Sequence, residues 1–341
     1  MTEHQNIPLP MDGEEPEGSK SLLERAGALA GGGDGPPRVF RAAPVPKELA
    51  QRPRKRGEER KRAAAADPVL ASAPPVAEPG AEHASAAPSV DPVRFAGPEL
   101  KVDRERLREQ GLIIPGGSVT ALLEEFRIVK RELLDAARKP GPGMSMARAQ
   151  FVLISSPHPG EGKTFCATNL ALAMAAERDV EVLLVDADFA KPSVLSLLGL
   201  PQAPGLMDAL ADPDLAIEDC VICTDIPGFH VLPAGNQTAS DSEYLASRQT
   251  ADRLMRLVQG APNRMIIFDS PPALAASPAA ELAKFVGQAV VVTRADSTGQ
   301  SALEDALQLL SHCPDIKLLL NAVSFSPSGR SFGAYYGYGG E

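Results

Sequence analysis

Long apolar runs are missing from this 341-residue sequence. No stretch approaches the roughly 18 to 20 consecutive apolar residues that a membrane-spanning helix needs. The first residues, MTEHQNIPLPMDGEEPEG, also lack the basic start and the apolar core of a secretory signal peptide. We therefore expect a cytoplasmic protein that has no membrane-spanning segment.

Cysteine is scarce. The sequence has 4 cysteines, too few for a disulfide framework, and such sparse usage is typical of a reducing compartment. Cys220 and Cys223 form one C-x-x-C, but no second pair with zinc spacing exists. Because Val221 and Ile222 between them are apolar, we interpret both cysteines as structural thiols. A metal or redox site is the alternative.

An excess of positive charge is also missing. The formal net charge of −10 argues against general nucleic-acid binding by the whole protein. Residues 52–62 are a local exception, with seven basic and two acidic side chains. This basic run could attract an anionic membrane surface or a polyanion, or it could simply be a solvated linker.

The composition divides the chain into three parts. Residues 1–97 are crowded with Pro, Ala, Gly and charge, so they cannot bury enough apolar surface to fold, and we expect disorder apart from a short capped helix at 21–30. Residues 98–323 have the apolar content of one folded domain. Residues 324–341 form a Gly/Ser-rich tail that contains three of the four tyrosines.

The pattern of the middle part predicts an α/β fold. Apolar residues recur at helical spacing over 119–138, and Lys139-Pro140-Gly141 ends that helix. Five short apolar runs follow, mostly separated by stretches long enough for crossover helices, at 150–155, 181–185, 265–268, 289–293 and 316–320. Continuous apolar strands of this kind predict a doubly wound, mostly parallel sheet that is covered on both faces.

The segment from Phe151 to Phe165 has the pattern of a phosphate-binding loop. An apolar strand is followed by a Gly/Pro turn and then by Gly162, Lys163 and Thr164, which would open a helix. Backbone N–H groups in such a loop can surround phosphates, while the lysine reaches the outer phosphates and the hydroxyl can bind Mg²⁺. The strict motif would have glycine where this chain has Pro157, and a purely structural turn is the alternative.

Carboxylates follow two of the predicted strands. Asp186 and Asp188 come after the run at 181–185, and Asp269 comes after the run at 265–268. Open α/β sheets bind ligands at the carboxyl ends of their strands. Phosphoryl transfer needs carboxylates there to hold metal and to accept a proton. Each aspartate taken alone could instead be a turn or helix cap.

These motifs together resemble the bacterial tyrosine kinases, which are P-loop ATPases related to the partitioning and septum-positioning ATPases. The resemblance rests on Pro159 to Thr164, on the D-x-D of Asp186 and Asp188, on Asp269, and on the tyrosine-rich tail. It covers about 98–341. Asp103 to Pro115 and Glu124 to Arg131 are more specifically similar to the tyrosine autokinases of exopolysaccharide and PEP-CTERM/exosortase loci.

The resemblance implies a set of site residues and two cofactors, ATP and Mg²⁺. It implies that Lys163 acts in catalysis and that Asp186 accepts the proton of the tyrosine hydroxyl. The nucleotide would be held by Pro159, Gly160, Glu161, Gly162, Lys163, Thr164 and Phe165, and the metal by Thr164, Asp188 and Asp269. The phosphate acceptors would be Tyr335, Tyr336 and Tyr338, and oligomerisation would use Glu124, Arg127 and Lys130.

The resemblance also implies partners. We expect autophosphorylation between subunits of a ring, control of exopolysaccharide synthesis, a membrane-embedded polysaccharide co-polymerase that holds the protein at the inner membrane, and a phosphotyrosine phosphatase. In the oligomerisation element, Lys130 stands in place of the last arginine. Two further positions, near the nucleotide site, depart from the related families: Ala190 replaces an arginine, and His158 stands where partitioning ATPases have a signature lysine. The rival functions are a partitioning-type ATPase that acts as a dimerisation switch, and an inactive nucleotide-binding scaffold.

Overall fold

The computed structural model of the protein describes residues 91–322, apart from residues 96, 98, 239 and 296. The expected helix at 21–30, the basic run at 52–62 and the tail with Tyr335, Tyr336 and Tyr338 lie outside the described residues.

A sheet of 8 strands forms the centre of the described part. The strands are β1 (Glu99–Leu100), β2 (Phe151–Ser155), β3 (Glu181–Asp186), β4 (Ile222–Thr224), β5 (Phe229–Leu232), β6 (Arg264–Asp269), β7 (Gln288–Arg294) and β8 (Asp315–Asn321). Their order is β1-β4-β5-β3-β6-β2-β7-β8, and neighbours are parallel except for the antiparallel pair β4 and β5. All five predicted strands are confirmed.

Helices connect the strands and cover the sheet. They are α1 (Arg104–Glu109), α2 (Ala121–Arg138), α3 (Met146–Ala149), α4 (Lys163–Ala175), α5 (Val194–Leu198), α6 (Leu206–Ala211), α7 (Asp241–Leu245), α8 (Arg248–Leu257), α9 (Pro278–Leu282) and α10 (Gln300–Leu309), with a 3₁₀ turn at Ile217–Cys220. No helix among them is both long enough and apolar enough to cross a bilayer.

The sheet separates two apolar cores. Along β3, Val182 and Leu184 belong to one core, which also contains the apolar residues of α4, whereas Leu183 and Val185 belong to the other, which contains those of α8 and α10. Successive side chains of a strand point to opposite faces, so a strand covered on both sides must be apolar throughout. The predicted doubly wound fold is confirmed.

Helix α2 begins two residues later than the predicted span 119–138, because the Thr120 hydroxyl accepts the N–H of Leu123 and caps it. Glu124 and Arg127 form an ion pair with each other. Lys130 is buried instead, and its ammonium donates to the Ala173 carbonyl at 2.9 Å at the end of α4. In this structure Lys130 is therefore not part of an exposed row with the other two charges.

Contacts of the domain extend N-terminal to the predicted boundary at residue 98. The N–H of Val93 donates to the Gln259 carbonyl at 3.2 Å, and the centre of the Phe95 ring lies 4.1 Å from the Arg264 guanidinium.

The two cysteines of the C-x-x-C are free thiols. Burial, with smaller contributions from nearby carboxylates, raises the pKa of the Cys220 thiol to about 11, so this thiol stays protonated near neutral pH.

Candidate active site

The loop between β2 and α4 is shaped by two glycines with left-handed backbone. Gly160 has φ +79° and Gly162 has φ +94°, a region that other residues rarely adopt. A Cβ on Gly162 would also lie 2.1 Å from the side-chain nitrogen of Asn321. The loop ends at Lys163, the first residue of α4, so the N-terminus of this 13-residue helix opens toward it. Such a loop and helix end together suit a phosphate group.

Lys163 is held by one of the predicted metal ligands. Its ammonium lies 2.8 Å from a carboxylate oxygen of Asp188, and both side chains are mostly buried. The other Asp188 oxygen accepts the N–H of Lys191 at 3.2 Å. A phosphate that binds the lysine must therefore compete with Asp188, and a cation that binds Asp188 must compete with the lysine.

Asp186 caps the start of α5. One of its carboxylate oxygens accepts the N–H groups of Ser193 at 2.9 Å and Val194 at 3.0 Å, and the other accepts the N–H of Asp188 at 3.2 Å. The residue is 1% exposed. Burial raises its pKa to about 6, although these N–H groups oppose the shift. Asp186 therefore forms the helix cap that was the alternative for a single aspartate. Its raised pKa also suits a general base.

Asp269 is the least satisfied carboxylate of the site. It lies directly opposite Asp186 in the register of β3 and β6, and it is fully buried. Within the described residues, neither of its oxygens has a hydrogen-bond partner at normal geometry. Burial raises its pKa to about 7, against the opposing effects of the Lys163 ammonium and the Thr164 hydroxyl. An unpartnered buried carboxylate beside a phosphate-type loop fits a site for a hydrated cation.

The remaining predicted nucleotide residues are divided between the loop surface and the core. Pro159 and Gly160 are exposed at the turn, as is His158. Thr164 is partly buried, and the Phe165 side chain packs against the apolar core of α4. Over the described part of the chain, no three His, Cys, Asp or Glu residues are close enough to hold a metal by themselves. A cation here would need the Thr164 hydroxyl, water or phosphate oxygens as further ligands, which is usual for Mg²⁺.

Three side chains brace the loop in ways that the sequence analysis missed. Glu161 is buried and accepts the N–H of His158 at 2.8 Å. The Thr298 hydroxyl donates to Glu161, and the Asn321 amide donates to the Glu161 carbonyl at 2.9 Å. Asn321 ends β8, and Thr298 follows β7. Polar residues beyond these strands were the signal, the same one that identified Asp186 and Asp269.

The positions that depart from the family pattern lie at the rim of the site. Ala190 and Lys191 are exposed in the turn between Asp188 and α5. The backbone N–H of Lys191 donates to Asp188, but any residue except proline would donate in the same way. Nothing in the structure explains why lysine stands at 191.

The comparisons with known proteins agree with this geometry. A family model described as an AAA domain matches residues 149–322, which include the loop and all three aspartates. The tyrosine-protein kinase YwqD of Bacillus subtilis is 31% identical over 188 residues, which cover 55% of this chain and 76% of YwqD.

The chain belongs to the AAA-domain family and to the bacterial tyrosine-protein kinases.

Other members of this kinase family are longer. The tyrosine-protein kinase ptk of Acinetobacter johnsonii is 30% identical over 189 residues, or 54% of this chain, but the match covers only 25% of that protein. The chain thus spans about a quarter of the length of this relative. Among solved structures, the kinase domain of the Escherichia coli tyrosine kinase ETK has a TM-score of 0.51 at 23% identity, covering 66% of this chain and 91% of that one. This likeness supports the fold.

Proposed function

We propose that this chain is an ATP-dependent tyrosine autokinase. The observation that carries the proposal is the convergence of Lys163, Asp188 and the unpartnered Asp269 at the carboxyl edge of the sheet, beside a loop with two left-handed glycines. This arrangement matches the needs of phosphoryl transfer, in which most of the catalysis is positioning and charge neutralisation. The family membership of the chain supports it.

Each residue then has a distinct task. The loop N–H groups and the Lys163 ammonium bind the phosphates, and Thr164, Asp188 and Asp269 would hold Mg²⁺. When bound, Mg²⁺ neutralises charge on the phosphates. Lys163 leaves Asp188 for the nucleotide, which frees that carboxylate for the metal. In the reaction the tyrosine oxygen bonds to the γ-phosphorus, the bond from this phosphorus to the leaving ADP oxygen breaks, and the tyrosine proton passes to a base.

We keep Asp186 as the proposed base. Its pKa of about 6 suits proton acceptance near neutral pH. Three N–H groups hold its two oxygens, and the residue is 1% exposed, so the residues around Asp186 must move before it can meet a tyrosine hydroxyl. The base function therefore requires a local rearrangement, whereas the cap function does not.

The proposed acceptors are the tail tyrosines. The described chain runs to Ala322, one residue beyond Asn321, whose amide bonds to the phosphate loop. Tyr335 follows Asn321 by 14 residues, a length that reaches roughly 45 to 50 Å when extended. Tyr336 and Tyr338 follow closely. The described chain thus ends beside the site, the remaining length would allow a tyrosine to reach a neighbouring subunit, and we propose transfer mainly between subunits.

The proposal extends to regulation and partners. Glu124 and Arg127, with Lys130 as support at the end of α4, belong to the proposed ring-forming helix. Each phosphorylated tyrosine adds about −1.5 to −2 charges, which would repel the tail from the three aspartates of a neighbour and favour dissociation. A phosphatase would reset the cycle. A membrane-embedded polysaccharide co-polymerase would hold the protein at the inner membrane and link it to exopolysaccharide synthesis.

Replacement of Lys163 by methionine tests the site. The substitution removes the ammonium but keeps most of the side-chain length, so we expect phosphotyrosine formation in Mg-ATP to fall roughly a hundredfold or more. Anti-phosphotyrosine detection over a time course measures it. The matched control is Lys284→Met, because Lys284 is an exposed lysine paired with Glu281. Equal activity of Lys163→Met and Lys284→Met would reject the site.

A further inference from the structure

Glu161 is an unexpected residue to find inside a phosphate-binding loop. It lies two positions before Lys163 and is 4% exposed, so a negative charge is buried where negative ligands are to bind. Buried charges are retained when their oxygens are bonded, and both Glu161 oxygens are. One of them accepts the N–H of His158 at 2.8 Å and closes the loop on itself.

The second oxygen ties the loop to the segment after β7. It accepts the hydroxyl of Thr298, and that hydroxyl in turn accepts the N–H of Arg294 at 2.9 Å. The Thr298 hydroxyl therefore uses its donor and an acceptor position at once, which fixes its direction. The loop is in this way connected to the end of β7, which is separated from the strand of Asp186 by β6 and β2.

Asn321 adds a connection to the end of β8. Its amide nitrogen donates to the Glu161 carbonyl at 2.9 Å, while its amide oxygen accepts the N–H of Ala322 at 2.9 Å. The contact is so close that a side chain on Gly162 would collide with the Asn321 amide. Glu161 is thus held by three neighbours: His158, Thr298 and Asn321.

We propose that Thr298 and Asn321 are positioning residues of the nucleotide site, acting through Glu161. Two glycines make the loop flexible, and its N–H groups would otherwise lose entropy when they converge on phosphate. Bonds from β7 and β8 set the direction of these groups before the ligand arrives, which raises affinity by preorganisation. This inference rests on the proposed function, since it assumes that the loop binds a nucleotide.

The first test is Thr298→Val, which keeps the shape of the side chain and removes its hydroxyl. We expect the Kd for Mg-ADP, titrated with a fluorescent ADP analogue, to rise about tenfold, the effect of one hydrogen bond to a charged group. The thermal midpoint without nucleotide should also fall by about 2 to 6 °C, because a buried Glu161 oxygen loses its donor. Thr298→Ser restores the donor and should return the Kd to within about twofold of wild type.

The matched control is Thr250→Val. The Thr250 hydroxyl is also fully used, donating to the Tyr244 carbonyl at 2.6 Å, but it lies at the start of α8, away from the loop. This variant should lose stability and keep the wild-type Kd. Asn321→Ala should weaken Mg-ADP binding as Thr298→Val does. Because both act through Glu161, the double variant should lose less than the product of the two single effects.

The outcomes separate this inference from the proposed function. If wild type binds Mg-ADP and both Thr298→Val and Asn321→Ala bind it equally well, the positioning role is wrong and the nucleotide site stands. A rise in the Kd of the same size in Thr250→Val would also overturn positioning, since it would show that any loss of stability weakens binding. If wild type itself binds no Mg-ADP, the nucleotide site and the positioning role both fall.

Discussion

The two ends of strands β3 and β6 carry charge in opposite ways. At the amino ends, Glu181 lies opposite Arg264, an acid beside a base. At the carboxyl ends, Asp186 lies opposite Asp269, an acid beside an acid. The pairing of β3 with β6 thus produces one edge where opposite charges are paired, the satisfied edge, and one where two acids face each other, the unsatisfied edge. The difference separates residues that stabilise the fold from residues that are kept available for a ligand.

At the amino edge, both Arg264 and Glu181 have partners of opposite charge. The Arg264 guanidinium lies 2.8 Å from Glu181, donates to two backbone carbonyls and covers the Phe95 ring. His230 lies 3.1 Å from the other Glu181 oxygen. Burial alone would raise the pKa of Glu181, but the hydrogen bonds of His230 and Arg264 outweigh it and hold that pKa below its ordinary value. This carboxylate therefore stabilises the fold when ionised.

The carboxyl edge shows the reverse balance. Burial dominates there and raises the pKa of Asp186 to about 6 and that of Asp269 to about 7. Lys163 is the nearby cation, and it bonds directly to Asp188 rather than to either of them. Ionised carboxylates at this edge cost stability that a bound cation would restore.

The largest expected effect comes from breaking the satisfied edge. Arg264→Met removes a buried guanidinium together with its hydrogen bonds, so we expect the free energy of unfolding to fall by about 3 to 5 kcal/mol, measured by urea denaturation. The control is Lys284→Met, which breaks the more exposed pair with Glu281 at 2.6 Å and should cost less than about 1 kcal/mol. Similar losses for the two variants would contradict the contrast between the edges.

A smaller effect of opposite sign is expected at the unsatisfied edge. The folded pKa of Asp269, about 7, lies above its ordinary value of 3.8, so folding favours the protonated form and this stability is lost as pH rises from about 4 through 7. Asp269→Asn does not titrate. At pH 8 without nucleotide or Mg²⁺, the variant should be more stable than wild type by on the order of 2 kcal/mol.

Urea denaturation of both proteins between pH 5 and 9 measures this difference. The two curves should separate as the pH rises from 5 to about 7 and then stay apart, because wild type alone loses stability through the titration of Asp269. Parallel curves over the whole range would show that Asp269 is not destabilising when ionised. The variant should also lose phosphotyrosine formation, since it lacks a proposed metal ligand.

The smallest effect separates the two functions of Asp186. Asp186→Asn keeps the shape of the side chain but replaces one carboxylate oxygen by an NH₂ group, which cannot accept an N–H group. We therefore expect a loss of about 1 kcal/mol in the free energy of unfolding. Phosphotyrosine formation should fall much further while Mg-ADP binding stays measurable, because an amide cannot take the tyrosine proton.

Asp103→Asn is the control for the cap. Asp103 caps α1 through a single oxygen that accepts the N–H groups of Glu105 and Arg106, and asparagine can replace that arrangement at little cost. Equal losses of Mg-ADP binding and phosphotyrosine formation in Asp186→Asn would instead assign Asp186 to metal or fold.

The parts of the molecule that sequence predicted well are those set by long local patterns. The five predicted strands are continuous apolar runs, so their existence and burial follow from composition. Strands β1, β4 and β5 were missed because segments of 2, 3 and 4 residues carry too little periodicity. The burial of Lys130 was not predicted, although Lys130 follows Phe126 by four residues and precedes Leu133 by three on the buried face.

The site residues that belong to a sequence motif could be predicted. Their hydrogen-bond partners, which the fold brings together, could not. Lys163 was identified from the phosphate-loop motif, and Asp186 and Asp269 from their places at strand ends. The cap formed by Asp186, the bond between Lys163 and Asp188, and the bracing of Glu161 depend on pairs separated by up to 160 positions, and no local pattern contains such pairs.

The measurement that tests the central claim most directly is the intact mass of the C-terminal peptide after incubation of the full chain with Mg-ATP. A kinase that uses its own tail should add phosphate to the peptide that contains Tyr335, Tyr336 and Tyr338. The triple variant with phenylalanine at these three positions keeps the aromatic rings and should add none there. An unmodified tail in wild type, under conditions where Mg-ADP binding is demonstrated, would contradict the autokinase and favour a nucleotide-dependent switch.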